Sequence, residues 1–252
     1  QVTNLSSDEG WDEAMEGCDY VLHVASPIAM QLPKDEDEMV KPAVEGTLRV
    51  LKAASKAGVK RVVITSSVAA IMYGTDKQGV FNEEDWTDPK SKTTNVYAKS
   101  KTLAEQAAWD FMEKDTSGME LSTVLPAMVF GPILEEDFGV SVGAILDMMN
   151  GKYPIVPNWD MGVVDVRDVA SLELLAMTKP EAAGKRFVCS AENMFMKDQN
   201  EYLSELFPES ASKIPKRVAP NWLIKFLALF LPALKMIAEG LGKERSMDSS
   251  QA

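Results

Sequence analysis

Tyr97 and Lys101 stand four residues apart in the run NVYAKSKTLAEQAAW, and on a helix that spacing puts both side chains on one face. A free phenol ionises near pH 10, too high for acid–base work at neutral pH, and a neighbouring ammonium lowers that value by favouring the phenolate. Lys101 is therefore predicted to tune Tyr97. Ser67 closes the run RVVITSS, where its hydroxyl could hydrogen-bond a substrate oxygen and hold it for protonation by Tyr97. With five Tyr and twenty Lys in 252 residues, a Tyr-x-x-x-Lys spacing arises by chance roughly 0.4 times. Its weight comes from context: a buried strand ending in Thr65-Ser66-Ser67, a long loop, then the motif near the start of a long helix.

The elements that would position these groups follow from hydrophobic period. An acidic helix start near Asp8–Gly17 leads into Tyr20–Ala25, a continuous apolar run expected to be a parallel-sheet strand buried on both faces. A helix over Pro42–Ala57 follows, with Val44, Leu48, Leu51 and Ala54 at helical spacing, Pro42 at its first position and Gly58 just past its end. The spacing then predicts a strand at Arg61–Thr65, the long helix Asn95–Lys114, a strand at Leu121–Leu125, and a short strand Val163–Asp165 running into a helix over Val166–Met177. Strands alternating with helices indicate an α/β fold, a doubly wound parallel sheet with helices on both faces. From about Glu135 onward Gly and Pro become frequent and the alternation breaks down. Residues 1–134 with 160–180 thus read as a cofactor-binding domain, and 135–159 with 181–252 as a smaller, mostly helical substrate lobe.

Composition narrows the classes. A net charge of −12 and a pI near 4.7 exclude a nucleic-acid partner, which needs clustered Lys and Arg. Cys18 and Cys189, the only cysteines, sit in apolar runs rather than a disulfide framework, so a reducing cytoplasm is the expected setting. The most apolar stretch, 222–238, carries Lys225, Pro232 and Lys235 and is shorter than the roughly 20 residues a membrane span needs. It reads as a helix packing its apolar face onto the domain, with a membrane-surface helix as the alternative. No stable membrane insertion is expected.

The runs VLHVASP, PAVEGTLRVLKAASKAGVKRVVITSSVAA, YAKSKTLAEQAAW, LPAMVFGP and VVDVRDVA occur in order over most of residues 1–190. This resembles the dihydroflavonol reductase and cinnamoyl-CoA reductase branch of the extended short-chain dehydrogenases/reductases. The resemblance implies a Rossmann-like fold binding NADP(H), with NAD possible, and a catalytic Ser67, Tyr97 and Lys101. Lys101 would also hold the nicotinamide ribose. Val24, Ala25, Ser26, Thr65, Tyr97, Pro126, Ala127, Met128, Val129 and Ser141 would line the cofactor, and Asn4 and Leu5 fall where the family uses Asp-Leu against the adenine.

The family's glycine-rich turn is missing, so the chain reads as beginning within the third strand, with residues 1–5 as that strand's end, and as stopping short of its relatives' C-terminus. In the usual strand order this leaves Tyr20–Ala25 as an unpaired edge. The expected reaction is reduction of a ketone or aldehyde, a small-molecule carbonyl partner, to an alcohol. A sugar-nucleotide epimerase or dehydratase uses the same Ser, Tyr and Lys, and a non-catalytic nicotinamide sensor keeps the fold without needing all three. His23 inside a strand reads as structural. Asp165, Arg167 and Asp168 read as a helix cap with an ion pair, and Met148, Met149, Met194 and Met196 as adaptable pocket wall or ordinary core. Oligomeric state is not legible.

Overall fold

The computed structural model describes residues 3–28, 33, 35–135, 139–231, 234 and 237–252. Four parallel strands form the main sheet in the order β1 (Tyr20–His23), β2 (Arg61–Thr65), β4 (Glu120–Pro126), β7 (Arg186–Cys189). A second sheet holds β5 (Met128–Phe130), β6 (Asp160–Asp165) and β8 (Glu192–Phe195), and β3 (Gly79–Phe81) pairs with β9 (Arg245–Met247).

Helices cover both faces of the main sheet, because successive strand residues point to opposite sides. Val62, Ile64 and Leu121 face α2 (Asp37–Ala57) and α3 (Val96–Met112), packing on Val50, Leu51, Ala54 and Ala108. Val63 and Val124 face the other way, onto Val169, Leu172 and Ala176 of α5 (Val166–Thr178). Short helix α1 (Trp11–Met15) closes the first cluster, while α4 (Gly139–Met149), α6 (Met196–Leu206) and α7 (Asn221–Leu227) belong to the region after Glu135.

Three expectations need correction. Helix α2 begins at Asp37, so Pro42 lies inside it rather than at its first position; Asp37 and Glu38 suit the first turn's positive end, and Lys41 pairs with Asp37 at 2.7 Å. Gly58 does end the helix, at φ 74°, with its N–H on the Ala54 and Ser55 carbonyls. Second, β1 is not buried on both faces: Tyr20 is 38% and Leu22 39% exposed while His23 is buried. Its one partner among the described residues is β2, so its other edge is open. Third, Thr3–Leu5 form no strand; Asn4 and Leu5 sit in a turn, and residues 1 and 2 lie outside the described residues. Strand β7, placed by its sequence in the second lobe, runs in the main sheet beside β4.

Candidate active site

The β2 exit and the start of α3 build the site. Beyond Thr65 the Ser66 N–H bonds the Val124 carbonyl at 2.7 Å, tying the exit to β4. Ser67 is extended and caps the 3-10 turn Val68–Ala70, its Oγ accepting the Ala69 N–H at 3.1 Å. Helix α3 is capped by Asn95, whose side chain accepts the Ala98 N–H at 2.9 Å and so fixes where Tyr97 leaves the first turn. The Ser67 hydroxyl lies beside the Tyr97 phenol and opposes the rise in its pKa. One turn on, the Lys101 ammonium donates to the Thr65 carbonyl at 3.1 Å. Ser67 meets Tyr97, while Lys101, one turn along α3, meets Thr65 at the same β2 exit.

The electrostatics differ from expectation. Burial raises the Tyr97 phenol above its ordinary value, opposed by the Ser67 hydroxyl; the anticipated lowering by Lys101 is not seen, and that ammonium donates to the Thr65 carbonyl. Burial pushes Lys101 down to about 8, with the Glu105 carboxylate opposing. Burial, then the charge of Lys101, pushes His23 down to about 4. His23 lies 3.5 Å from the Thr47 hydroxyl and is neutral at pH 7, in keeping with a structural role.

The remaining expected residues divide. Val24 and Ala25 are exposed and Ser26 half-buried just past β1; Pro126 ends β4, and Ala127, Met128 and Val129 lead half-buried into β5. These exits share an end of the sheet with Ser67, the side where ligands bind in such folds. The Thr65 hydroxyl is committed elsewhere, to the Glu173 carboxylate of α5, so its carbonyl and not its side chain serves the site. Ser141 stands in the first turn of α4, the helix beside β5. Leu5 packs on α2 at Gly46, where a Cβ would come within 2.9 Å of Leu5 Cδ2, and Asn4 accepts the Ser6 N–H at 2.9 Å. Asp165 caps α5 and pairs with Arg167 at 2.6 Å, as expected. Gly131, at φ 142°, lets the chain after β5 pass close to α5, since a Cβ there would fall 2.7 Å from Val166 Cγ1.

Residues 2–207 match the 3-beta hydroxysteroid dehydrogenase/isomerase family. The chain belongs to that family. Among curated proteins it is 40% identical to cinnamoyl-CoA reductase 1 of Petunia hybrida, over 78% of this chain and 58% of that one. It is 33% identical to an anthocyanidin reductase of Vitis vinifera, over 82% and 65%. The chain thus spans about three fifths of the petunia relative's length. Among solved structures, yeast methylglyoxal/isovaleraldehyde reductase Gre2 complexed with NADPH superposes with a TM-score of 0.78 at 30% identity, covering 98% of this chain and 75% of that one. Vestitone reductase from alfalfa gives 0.69 at 26%, over 95% and 79%. These are Rossmann-type reductases, and the parallel α/β fold of this family member is the one its sequence resemblance implied.

Behind the site lies a network the sequence reading missed. Glu105, one turn beyond Lys101 and 1% exposed, accepts from Thr123 of β4 at 2.8 Å, from Ser66 at 2.5 Å and from Arg186 of β7 at 2.8 Å. Arg186 also donates to the Asp85 carbonyl at 2.9 Å and lies over the Trp86 ring at 3.7 Å. The available signal was a Glu at i+4 from Lys101 on a face otherwise made of Ala, Ser and Thr. Its partners lie up to 81 residues away, and no local pattern announces them.

Proposed function

We propose that this chain is the catalytic part of an NADP(H)-dependent reductase that converts a ketone or aldehyde to an alcohol, with Ser67, Tyr97 and Lys101 as its catalytic residues. The observation that carries the reading is Ser67 beside the Tyr97 phenol, with a buried Lys101 bonded to the Thr65 carbonyl, at the carboxyl end of a parallel sheet. The relatives' names, several of them reductases and one an NADPH complex, point the same way.

The residues present suit a nicotinamide cofactor. A buried ammonium with the Thr65 carbonyl as its hydrogen-bond partner keeps further N–H donors for ribose hydroxyls. Val24, Ala25, Ser26 and Pro126–Val129 offer a small, partly apolar wall at the neighbouring exits. The cofactor supplies the hydride when bound. The protein supplies the proton: a phenol raised by burial stays protonated at pH 7, which is the form that reduction consumes. Ser67, beside that phenol, orients the substrate oxygen toward it. Lys101, pushed down to about 8, remains largely an ammonium at pH 7 and would hold the ribose. Asn4 and Leu5 would serve the adenine end, and Ser141 the nicotinamide side.

The second lobe, 135–159 with 181–252 apart from β7, would select the carbonyl substrate. Cys18 and Cys189 are free thiols, which supports a cytoplasmic setting. The test is NADPH oxidation against a panel of aliphatic and aromatic aldehydes and ketones, with Tyr97→Phe as control. Turnover of at least one carbonyl that the control loses is the expected result. Binding of NADPH with turnover of none would favour the sensor instead.

A further inference from the structure

Residues 213–231 contain four basic residues, Lys213, Lys216, Arg217 and Lys225, and no acidic one, so the other residues together carry −16. All four cations are exposed. The same segment turns out a run of large apolar side chains: Trp222 is 70% exposed, Phe226 53%, Leu229 70%, Phe230 68% and Leu231 50%. The spacing i, i+3, i+4, i+7, i+8 puts Trp222, Lys225, Phe226, Leu229 and Phe230 on one stripe of α7 and the turn after it. Phe226 and Phe230 meet edge-on, 5.5 Å apart. The opposite face, Ile224 with Ala228 behind it, is buried; Ile224 packs with Ala219, Leu241 and Trp159 and fastens the stripe to the lobe. The expectation that this helix hides its apolar face thus holds for one side alone.

Large side chains present about 150–250 Å² each when free, so five exposed by half or more leave on the order of 500 Å² of contiguous apolar surface. That is as much as a monomer ordinarily shows without a partner. Among the described residues no helix is long and apolar enough to cross a bilayer. An aromatic and leucine face with Lys225 in its stripe and exposed Lys213, Lys216 and Arg217 just before it in the chain, on a chain otherwise strongly anionic, complements an anionic lipid surface, where Trp and Phe sit at the headgroup boundary and Lys and Arg meet lipid phosphates and carboxylates.

We infer that α7 and its flanks, Lys213–Leu231, form a peripheral docking surface for anionic membranes. The face would lie in the headgroup plane with Trp222, Phe226 and Phe230 inserted. The inference stands apart from the catalytic reading.

The test is flotation of the full chain with vesicles of phosphatidylcholine alone or with about a third phosphatidylserine. At least tenfold stronger binding to the anionic vesicles is expected, weakened by 0.5 M salt. Trp222→Ser with Phe230→Ser should lower binding to the anionic vesicles at least tenfold. Lys216→Glu with Arg217→Glu, at exposed positions where folding is not at stake, should erase the preference for phosphatidylserine. Equal binding to both vesicle types, no binding to either, or variants that bind like the parent would overturn the inference. So would a concentration-dependent dimer that Trp222→Ser with Phe230→Ser dissolves in the absence of vesicle binding, which would assign the face to a second copy.

Discussion

Replacing Lys101 by Met should make the protein more stable at pH 7. The Lys101 ammonium is 8% exposed and held at about 8 against an ordinary 10.5. A difference of about 2.5 units at 1.36 kcal/mol each is a cost of about 3 kcal/mol for keeping the charge buried. Met fills a similar volume without the charge but forfeits the hydrogen bond to the Thr65 carbonyl, worth about 1 kcal/mol. The net gain is about 2 kcal/mol, or roughly 4–8 °C in melting temperature for a chain of this size. The pH dependence is the sharper signature. The native pKa lies below the unfolded one, so between about pH 8 and 10.5 the unfolded chain holds more protons and parent stability rises with pH. The cost is fully present below pH 8 and gone above 10.5. The gap between Lys101→Met and the parent should therefore be widest at pH 7, shrink from pH 8 upward and reverse slightly near 10.5. Urea unfolding followed by circular dichroism between pH 6.5 and 10.5 measures it. A variant less stable than the parent by an amount independent of pH would refute the reasoning, because Lys101 would then be a net stabilising group and not a desolvated charge held for chemistry.

Tyr97→Phe should lower turnover about 10²-fold or more with NADPH affinity within a factor of a few, read by NADPH oxidation and fluorescence titration. Arg186→Met leaves the Glu105 carboxylate buried without its cation and should cost about 3–5 kcal/mol in urea unfolding, while Glu105→Leu in the same chain recovers part of that; additive losses would show that the two do not interact. His23, held at about 4, stays neutral in the native state while the unfolded chain protonates below 6.5, so stability should fall as pH drops from 6.5 to 4. His23→Asn should flatten that part of the acid limb. Gly131→Ala meets both a positive φ and the Val166 side chain and should lower the melting temperature by several degrees, on the order of 1–3 kcal/mol.

The order of strands and helices was legible because Arg61–Thr65 and Leu121–Leu125 are short continuous apolar runs and α2 ends at a glycine free to take positive φ. The start of α2 was not. Pro42 is a familiar first helical residue, yet Asp37 and Glu38 are favoured at a helix start whether or not a proline follows. Burial of β1 was misread because an apolar run records what a strand can tolerate and not what lies beside it: Tyr20 and Leu22 have one neighbouring strand and remain exposed. In the site, Tyr97, Lys101 and Ser67 could be named from spacing and strand exits. The direction of the Tyr97 shift could not, since it is set first by how deeply tertiary packing buries the phenol.

The Glu105 carboxylate joins α3 to β4, β7 and the exit of β2, and through Arg186 to the loop at Asp85 and Trp86. Its anchors lie in the main sheet, that exit and that loop, with none in α4, α6 or α7. The bearing that carries Tyr97 and Lys101 is thus mounted on the frame and not on the interchangeable part. On the proposed reading, sequence drift in α4, α6 and α7 would reshape what enters the cleft while the mounting of Tyr97 and Lys101 stays as it is.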